Sequence, residues 1–345
     1  MKDKLNQLTK KKQQLDKLQP LPPELVKNLE DWFRVELTYS SNAIEGNTLS
    51  RIETAEVIER GTAAVISGKP LKDQLEAINH AKAIEFIKQL AQKRKSYQFI
   101  TEQDIKDIHK IILGGIDDKW AGKYRMTDVF IRGSNTEFPR PNAVPRAMQE
   151  FIGWLQDIQD EHPVRIASEA HFKLVSVHPF IDGNGRTSRL LMNLILFMYG
   201  YPMAVIRNED RTVYLATFDK ARNEDNLKPF YDLIEEAAGR SLDAYINAGR
   251  GKSIMSDLSP AQTNELLKIG ELAQKTGETT YTIRFWTKER LLTVKNFTKG
   301  GYQLYEPSMI ERVKEIRRLQ NEKRLTIAEI YQLYFGPPGG GPQLV

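Results

Sequence analysis

Twelve residues near the middle of the chain concentrate side chains that could carry out chemistry. The stretch from His178 to Arg189 reads HPFIDGNGRTSR, with one histidine, one aspartate, one asparagine, two glycines and two arginines. The apolar run LVSV precedes it and the apolar segment LLMNLILFMYGY follows. Polar groups between two segments that suit a core are candidates for a functional site.

The order of these groups suits the binding of a polyphosphate. Gly183 and Gly185 precede a helix predicted to start near Thr187, so backbone N–H groups and the helix N-terminus can face an anion. Arg186 and Arg189 are three residues apart, point the same way and can each bind phosphate oxygens.

Two further residues complete a reactive site. Asp182 is placed to hold Mg²⁺ together with several waters. His178, four residues earlier, can act as a general base at neutral pH. Taken singly, a His-Pro pair, a GNG turn or two arginines on a helix are more often structural. Their joint occurrence in this order predicts phosphoryl or nucleotidyl transfer.

The same stretch matches the signature HxFx(D/E)GNxRxxR at every defined position, and residues 20–245 resemble the Fic family. The resemblance includes the segment GKYRMTDVFIRGS and the tyrosine region after the core helix. It implies a mainly α-helical bundle with a β-hairpin flap. It also implies transfer of AMP from ATP, with Mg²⁺, to Ser, Thr or Tyr hydroxyls of target proteins and of the chain itself.

The resemblance also implies residue roles. His178 would take the proton from the attacking hydroxyl, Asp182 would hold Mg²⁺, and the arginines would meet the β-phosphate (Arg186) and the γ-phosphate (Arg189). The flap would hold the target by strand addition, and Tyr214 and Asn223 would contact adenine or ribose. The implied ATP-binding residues are Asp182, Gly183, Asn184, Gly185, Arg186, Thr187, Arg189, Ile131, Arg132, Gly133, Ser134, Tyr214 and Asn223.

A second motif, SNAIEG, resembles the inhibitory pattern (S/T)xxxE(G/N) through Ser41, Glu45 and Gly46. A helix ending at Gly46 would project Glu45 toward the phosphate site, where it could pair with Arg189 and oppose the γ-phosphate. The alternative is an ordinary helix end with Gly46 as its cap. The resemblance leaves open whether Glu45 also aligns a water that removes AMP from the target.

The part of the chain beyond residue 266 resembles the DNA-binding head of MerR-type regulators. The resemblance lies in the stretches IGELAQKTGETTYTIRF and GYQLY. The resemblance implies a winged helix-turn-helix and, as partner, double-stranded DNA. Gln303 stands where the wing usually carries arginine. The alternative is a module for protein contacts. The implied DNA-binding residues are Thr282, Arg284, Lys299 and Tyr302.

Length and composition indicate the number of domains and the class of protein. With 345 residues, no cysteine, 40% apolar residues and a net charge of +5, the chain suits a cytoplasmic protein of two domains without membrane spans or disulfides. We expect a homodimer. The predicted organisation is an N-terminal helical region with the inhibitory helix (1–75), a catalytic domain (76–246), a linker (247–262), a winged helix-turn-helix (263–335) and a disordered tail (336–345).

Two other functions fit the same residues. The chain could be a DNA-binding regulator that senses nucleotide and transfers little or no AMP. It could also transfer phosphate, UMP or phosphocholine. A complete GNGR with a second arginine favours a triphosphate donor in the AMP-transfer orientation, and an intact His178 and Asp182 favour an enzyme over a sensor.

Overall fold

The computed structural model describes residues 2–64, 66–130, 136–252, 266–298, 302–306 and 309–335. The chain forms two compact units, Met1–Pro260 and Ala261–Val345. Both are built mainly from helices, which confirms the predicted mainly α fold. Among the described residues, none of the helices combines the length and apolar character that a membrane crossing requires.

Ten α-helices make up the described part of the first unit. They are α1 (Lys2–Lys17), α2 (Pro23–Ile44), α3 (Arg51–Arg60), α4 (Leu71–Arg94), α5 (Glu102–Leu113), α6 (Val144–Asp157), α7 (Pro163–Val177), α8 (Asn184–Met198), α9 (Arg211–Asn223) and α10 (Lys228–Gly249). Helix α10 extends to Gly249, so the first residues of the predicted linker are helical.

Helix α8 lies at the centre of the first unit and packs against α7, α4 and α5. Because neighbours surround it, Leu190, Leu191, Leu194 and Ile195 are all fully buried. Its buried Asn193 donates to Arg189 O and Ala204 O and accepts from Ala204 N. The one polar residue in this apolar stretch therefore anchors the segment that follows α8.

The turn between α7 and α8 carries the signature. Helix α7 ends at Val177, and its C-cap residue His178 adopts the left-handed conformation with φ 50°. Gly183, with φ 75°, precedes the first residue of α8. The prediction that this helix starts near Thr187 is wrong by three residues. The Asn184 side chain bonds both backbone groups of Phe180, which closes the turn early enough for the helix to begin at Asn184.

The central residues of the predicted flap lie outside the described residues. Ile131, Arg132, Gly133 and Ser134 fall outside the described residues. The described ends of this segment, 126–130 and 136–140, contain no β-strand.

The second unit joins a helix-turn-helix to a small sheet. The helices are α11 (Ile269–Thr276), α12 (Thr280–Lys288), α13 (Met309–Glu322) and α14 (Ile327–Phe335), and the strands are β1 (Leu267–Lys268), β2 (Asn296–Phe297) and β3 (Gln303–Tyr305). The strands are antiparallel in the order β1-β3-β2, with Leu267 opposite Tyr305 and Asn296 opposite Leu304. Gly277, with φ 71°, makes the turn between α11 and α12.

We expect Asn193→Leu to lower the free energy of unfolding by roughly 3 kcal/mol, because it leaves the N–H and C=O of Ala204 buried without their partner. Chemical denaturation of the variant and the parent measures this loss. Gln92→Leu on the exposed face of α4 is the control and should change stability little. An equal effect of both substitutions would contradict the anchoring role of Asn193.

Candidate active site

His178 is held as a neutral base. Its Nδ1 lies 3.2 Å from the carbonyl oxygen of Val175. An N–H at Nδ1 donates to that carbonyl, which leaves Nε2 as the proton acceptor. Burial lowers the pKa of His178 to about 4, with the carbonyl of Val175 opposing the shift and the cations Arg125 and Arg222 adding to it. The ring is therefore uncharged at neutral pH.

His109 on α5 packs against the turn between α7 and α8, which carries the signature. Its ring stacks on Phe180 with centroids 3.7 Å apart and an interplanar angle of 6°. Its Nδ1 accepts from Gly122 N at 2.9 Å, so Nε2 donates to the carbonyl of Asp182, also at 2.9 Å. Burial lowers the pKa of His109 to about 4, which keeps this tautomer at neutral pH. Sequence reasoning missed His109, because one histidine on a helix carries no pattern of its own.

Both glycines of the signature have close neighbours, and Gly183 also has a positive φ, which residues other than glycine rarely tolerate. A Cβ at Gly183 would lie 3.3 Å from Ile112 Cγ2 and 3.4 Å from the His109 ring. A Cβ at Gly185 would lie 2.4 Å from Glu45 Oε1. The carboxylate of Glu45 therefore rests directly against the backbone at the start of α8.

Asp182 is the accessible carboxylate of the site, with 52% of its side chain exposed. Its Oδ1 accepts from Gly183 N at 2.6 Å, Arg186 Nη2 lies 3.4 Å away, and Lys72 Nζ lies 4.0 Å from Oδ2. Partial burial works to raise the pKa of Asp182, but Arg186 and the Gly183 N–H outweigh it and hold the pKa below its usual value. The side chain is thus a ready anion.

This donor set fits a Mg²⁺ ion that arrives with a nucleotide. Within the described parts of the chain, no group of three or more metal-binding side chains occurs. Mg²⁺ characteristically uses one or two carboxylates, with phosphates and waters completing its shell. Asp182 alone can supply the protein ligand.

Arg186 is buried and paired inside the protein. Its side chain is 2% exposed and its Nη1 lies 2.9 Å from Glu76 Oε1, close enough for an ion pair although not aligned for a hydrogen bond. Glu76 in turn accepts from Asn47 Nδ2 at 2.9 Å. Thr187, directly after Arg186, is fully buried and donates its N–H to Gly183 O. Sequence reasoning missed Glu76, which lies on α4.

Arg189 is bound to the end of α2. Its Nε donates to Ser41 Oγ at 2.9 Å, and its Nη2 donates to Ser41 O at 2.8 Å and to Glu45 Oε1 at 2.7 Å. Burial opposes the charge, but Glu45 and Tyr214 raise the pKa of Arg189 above its usual value. The structure thus brings together the residue predicted to meet the γ-phosphate and the residues predicted to inhibit.

The end of helix α2 places Glu45 beside Arg189. Its last residue is Ile44, and Glu45 follows as the C-cap, before Gly46 with φ 98°. Arg211 Nε donates to Ile44 O at 2.6 Å, so cations satisfy carbonyls at the negative end of the helix. Gly46 follows a helix end, as the alternative interpretation expected, but Glu45 is paired with Arg189 while its side chain stays partly exposed.

The two residues predicted to contact adenine or ribose lie in different surroundings. Tyr214 is 1% exposed, and its hydroxyl lies 3.0 Å from His171 Nε2 and accepts from Arg189 Nη1 at 3.4 Å. Its hydroxyl therefore supports Arg189. Asn223 is the last residue of α9 and is exposed. Nucleotide contact by either residue stays a prediction.

Comparisons with known proteins agree with this geometry. Residues 99–196 match the Fic/DOC family, and residues 267–334 match the MerR HTH family regulatory protein description. The chain is 36% identical over 245 residues to a protein adenylyltransferase Fic of Culex quinquefasciatus, covering 70% of this chain and 47% of that protein. It is 38% identical over 211 residues to the protein of that name in Nematostella vectensis, covering 60% and 48%. The chain thus spans about half the length of these curated relatives.

Solved structures show the same relationship. A Fic domain containing signaling protein from Bacteroides thetaiotaomicron superposes with a TM-score of 0.64 and 32% identity, covering 73% of this chain and 98% of that chain. Fic-1 from C. elegans gives a TM-score of 0.63 and 32% identity, covering 71% and 72%. Both resemblances inferred from the sequence are confirmed.

We expect the free energy of unfolding to fall as the pH is lowered from about 6.5 toward 4. His109 has a folded pKa of about 4, below its unfolded value, so the unfolded state takes up the proton first. Its contribution is complete above pH 6.5 and is lost through this window, by roughly 3 kcal/mol at full titration. Denaturation at pH 7, 6 and 5 measures the slope.

His109→Gln is the matched variant for this experiment. It should be less stable at pH 7 and should show a shallower fall with pH, because one titrating group is gone. A parent protein whose stability does not change between pH 7 and pH 5 would contradict the prediction.

Proposed function

The chain belongs to the Fic family, and from this premise we propose that it is a protein adenylyltransferase, which moves AMP from ATP to a Ser, Thr or Tyr hydroxyl of a target protein. The observation that carries the proposal is the arrangement around one helix start. A neutral His178, an anionic and accessible Asp182 and two arginines surround the N-terminus of α8. The curated relatives named protein adenylyltransferase support the same activity.

The proposed reaction is a displacement at the α-phosphate. His178 Nε2 accepts the proton as the target hydroxyl attacks, a P–O bond forms, and the bond to pyrophosphate breaks. Backbone N–H groups at the start of α8 would face the charge that develops on the α-phosphate. Asp182 would hold Mg²⁺, which neutralises charge on the phosphates when it is bound. Arg186 would bind the β-phosphate.

Glu45 is proposed to inhibit this reaction. Arg189 is the residue expected to bind the γ-phosphate, and here its N–H groups are held by Ser41 and Glu45. A γ-phosphate can take Arg189 only if the Glu45 carboxylate leaves, and while Glu45 remains its charge opposes the phosphate. Glu45 is also close enough to the helix start to orient a water, so removal of AMP from the target is a second activity of this proposal.

The competing assignments are less well supported. A protein that only senses nucleotide does not need a neutral histidine whose Nε2 is ready to accept a proton, as in His178. Transfer of phosphate would use the γ-phosphate of ATP, and this distinguishes it from AMP transfer by experiment. The cytoplasmic location and the homodimer expected from the sequence stay predictions.

We expect Glu45→Gly to increase protein labelling by α-³²P-ATP and Mg²⁺ by at least about tenfold, because it frees the buried Arg189 from a partly exposed carboxylate that opposes the nucleotide. A tenfold change in rate corresponds to about 1.4 kcal/mol. γ-³²P-ATP should give no label. Unchanged labelling would remove Glu45 as the inhibitor, and label from the γ position would indicate phosphate transfer.

Two control variants sharpen this test. His178→Ala in the Glu45→Gly background should abolish labelling, since the proton acceptor is lost. Ser41→Ala removes one of the bonds to Arg189 but keeps the Glu45 carboxylate, so it should increase labelling less than Glu45→Gly. Full labelling by the His178→Ala variant would show that His178 is not the base.

For the second unit we propose binding to double-stranded DNA through α12. This helix exposes Tyr281, Arg284, Phe285 and Lys288, which share one face at spacings of three and four. A surface that combines cations with aromatic rings suits nucleic acid. Of the other predicted contacts, Thr282 is engaged with the cap residue Thr279, Tyr302 is about half exposed, and Lys299 lies outside the described residues.

We expect the double variant Arg284→Ala/Lys288→Ala to weaken binding to a mixed-sequence 30-base-pair duplex and to lower the slope of log K against log salt by about 2, one for each lost phosphate contact. Fluorescence anisotropy between 50 and 200 mM salt measures both. The control changes two exposed cations of the first unit, Lys82→Ala/Arg146→Ala. Equal effects of the two pairs would indicate a general charge effect and contradict the proposed surface.

A further inference from the structure

Arg125 is a buried cation that the proposed reaction does not use. Its side chain is fully enclosed, with 2% of the residue exposed. Within the described part of the chain it forms no ion pair with a carboxylate, and its hydrogen bonds go to backbone carbonyls. Burying a guanidinium costs free energy unless its N–H groups are satisfied, so the carbonyls it meets define its role.

Those carbonyls belong to the site and to both ends of one chain segment. Nε donates to His178 O at 2.8 Å, Nη1 donates to Thr127 O at 3.1 Å, and Nη2 donates to Pro139 O. The Arg125 backbone N–H also donates to Pro179 O at 2.9 Å. One residue therefore joins the residue proposed as the base to the beginning and the end of the segment 127–139.

One described end of this segment lies against the His178 ring. The ring of Phe138 lies with its centroid 4.2 Å from that of His178. Arg222 Nη1 donates to Thr136 Oγ1 at 3.0 Å, which gives the same end a second attachment. Phe130, near the other end, is 88% exposed. An exposed apolar side chain at that end suits contact with a target segment.

His178 itself needs support. It closes α7 in the left-handed conformation, which residues other than glycine rarely adopt and which costs free energy. Its carbonyl is at the negative end of α7, where a cation is favourable. A guanidinium bonded to this carbonyl fixes the peptide plane and with it the direction of the imidazole.

We propose that Arg125 is a positioning residue, which holds the peptide of His178 and the chain at Thr127 and at Pro139 in fixed relative positions, so that Nε2 faces the target hydroxyl. The proposal rests on the proposed function, since it concerns the acceptor side of the same reaction. It assigns Arg125 no contact with ATP.

The geometry requires arginine. A planar guanidinium offers donors in several fixed directions and can bond three carbonyls at once, whereas a lysine ammonium is a compact charge on a flexible stem. Arg125→Lys therefore keeps the positive charge near His178 but loses the bridge. This separates a role in positioning from a purely electrostatic one.

The experiment compares Arg125→Lys with the parent in the Glu45→Gly background, with Arg146→Lys, an exposed position on α6, as the matched control. We expect kcat for protein labelling to fall by at least about tenfold, while the KM for ATP and the calorimetric Kd for ATP stay within about twofold. Hydrogen–deuterium exchange should increase in peptides covering 126–130, 136–140 and 175–182, and not in α4.

Three outcomes would overturn the proposal: an unchanged kcat, ATP affinity that falls together with kcat, or exchange that does not change in the three peptides. If the Glu45→Gly parent shows no transfer at all, the proposed function fails, and the exchange measurement still tests the anchor by itself. Should Arg125→Lys fail to fold, Arg125→Gln, which keeps a planar donor group, takes its place with the same expected outcomes.

Discussion

The ion pair between Arg189 and Glu45 is the interaction on which the rest of the site depends. Through it and the bonds to Ser41, the centre of α8 is joined to the end of α2, while Tyr214 supports the same guanidinium from α9. The segment proposed to inhibit is therefore part of the packing of the first unit. Any event that frees Arg189 for a phosphate must also rearrange how α2 ends.

Charge compensation explains why this site can exist without a nucleotide. Arg186 and Arg189 are both buried, and buried cations without partners would be strongly destabilising. Glu76 lies against Arg186, and Glu45 lies against Arg189. In the proposed function, a phosphate oxygen would take the position of the Glu45 carboxylate at Arg189. Glu45 is the partly exposed member of the two, with 38% of its side chain exposed, which makes it the one that can leave.

The residues proposed to react could be named from the sequence, but the residues that support them could not. His178, Asp182 and the arginines share one contiguous signature, so a single turn brings them together. His109 and Glu76 come from α5 and α4, each as one residue without a pattern, and only tertiary packing reveals them. The start of α8 was misplaced for a similar reason, since the side-chain bonds of Asn184 to Phe180 decide it. Helix periodicity alone does not contain that information.

The wing of the second unit shows how one replacement shifts a surface. Gln303 stands where an arginine was expected, and its Oε1 accepts from the hydroxyl of Tyr305 at 2.7 Å. The same hydroxyl lies 2.8 Å from Thr287 Oγ1 on α12. The position where an arginine would offer a cation to phosphate is thus occupied by a glutamine that joins the sheet to the helix. In the proposed DNA-binding surface, Arg284 and Lys288 on the exposed face of that same helix would supply the cations.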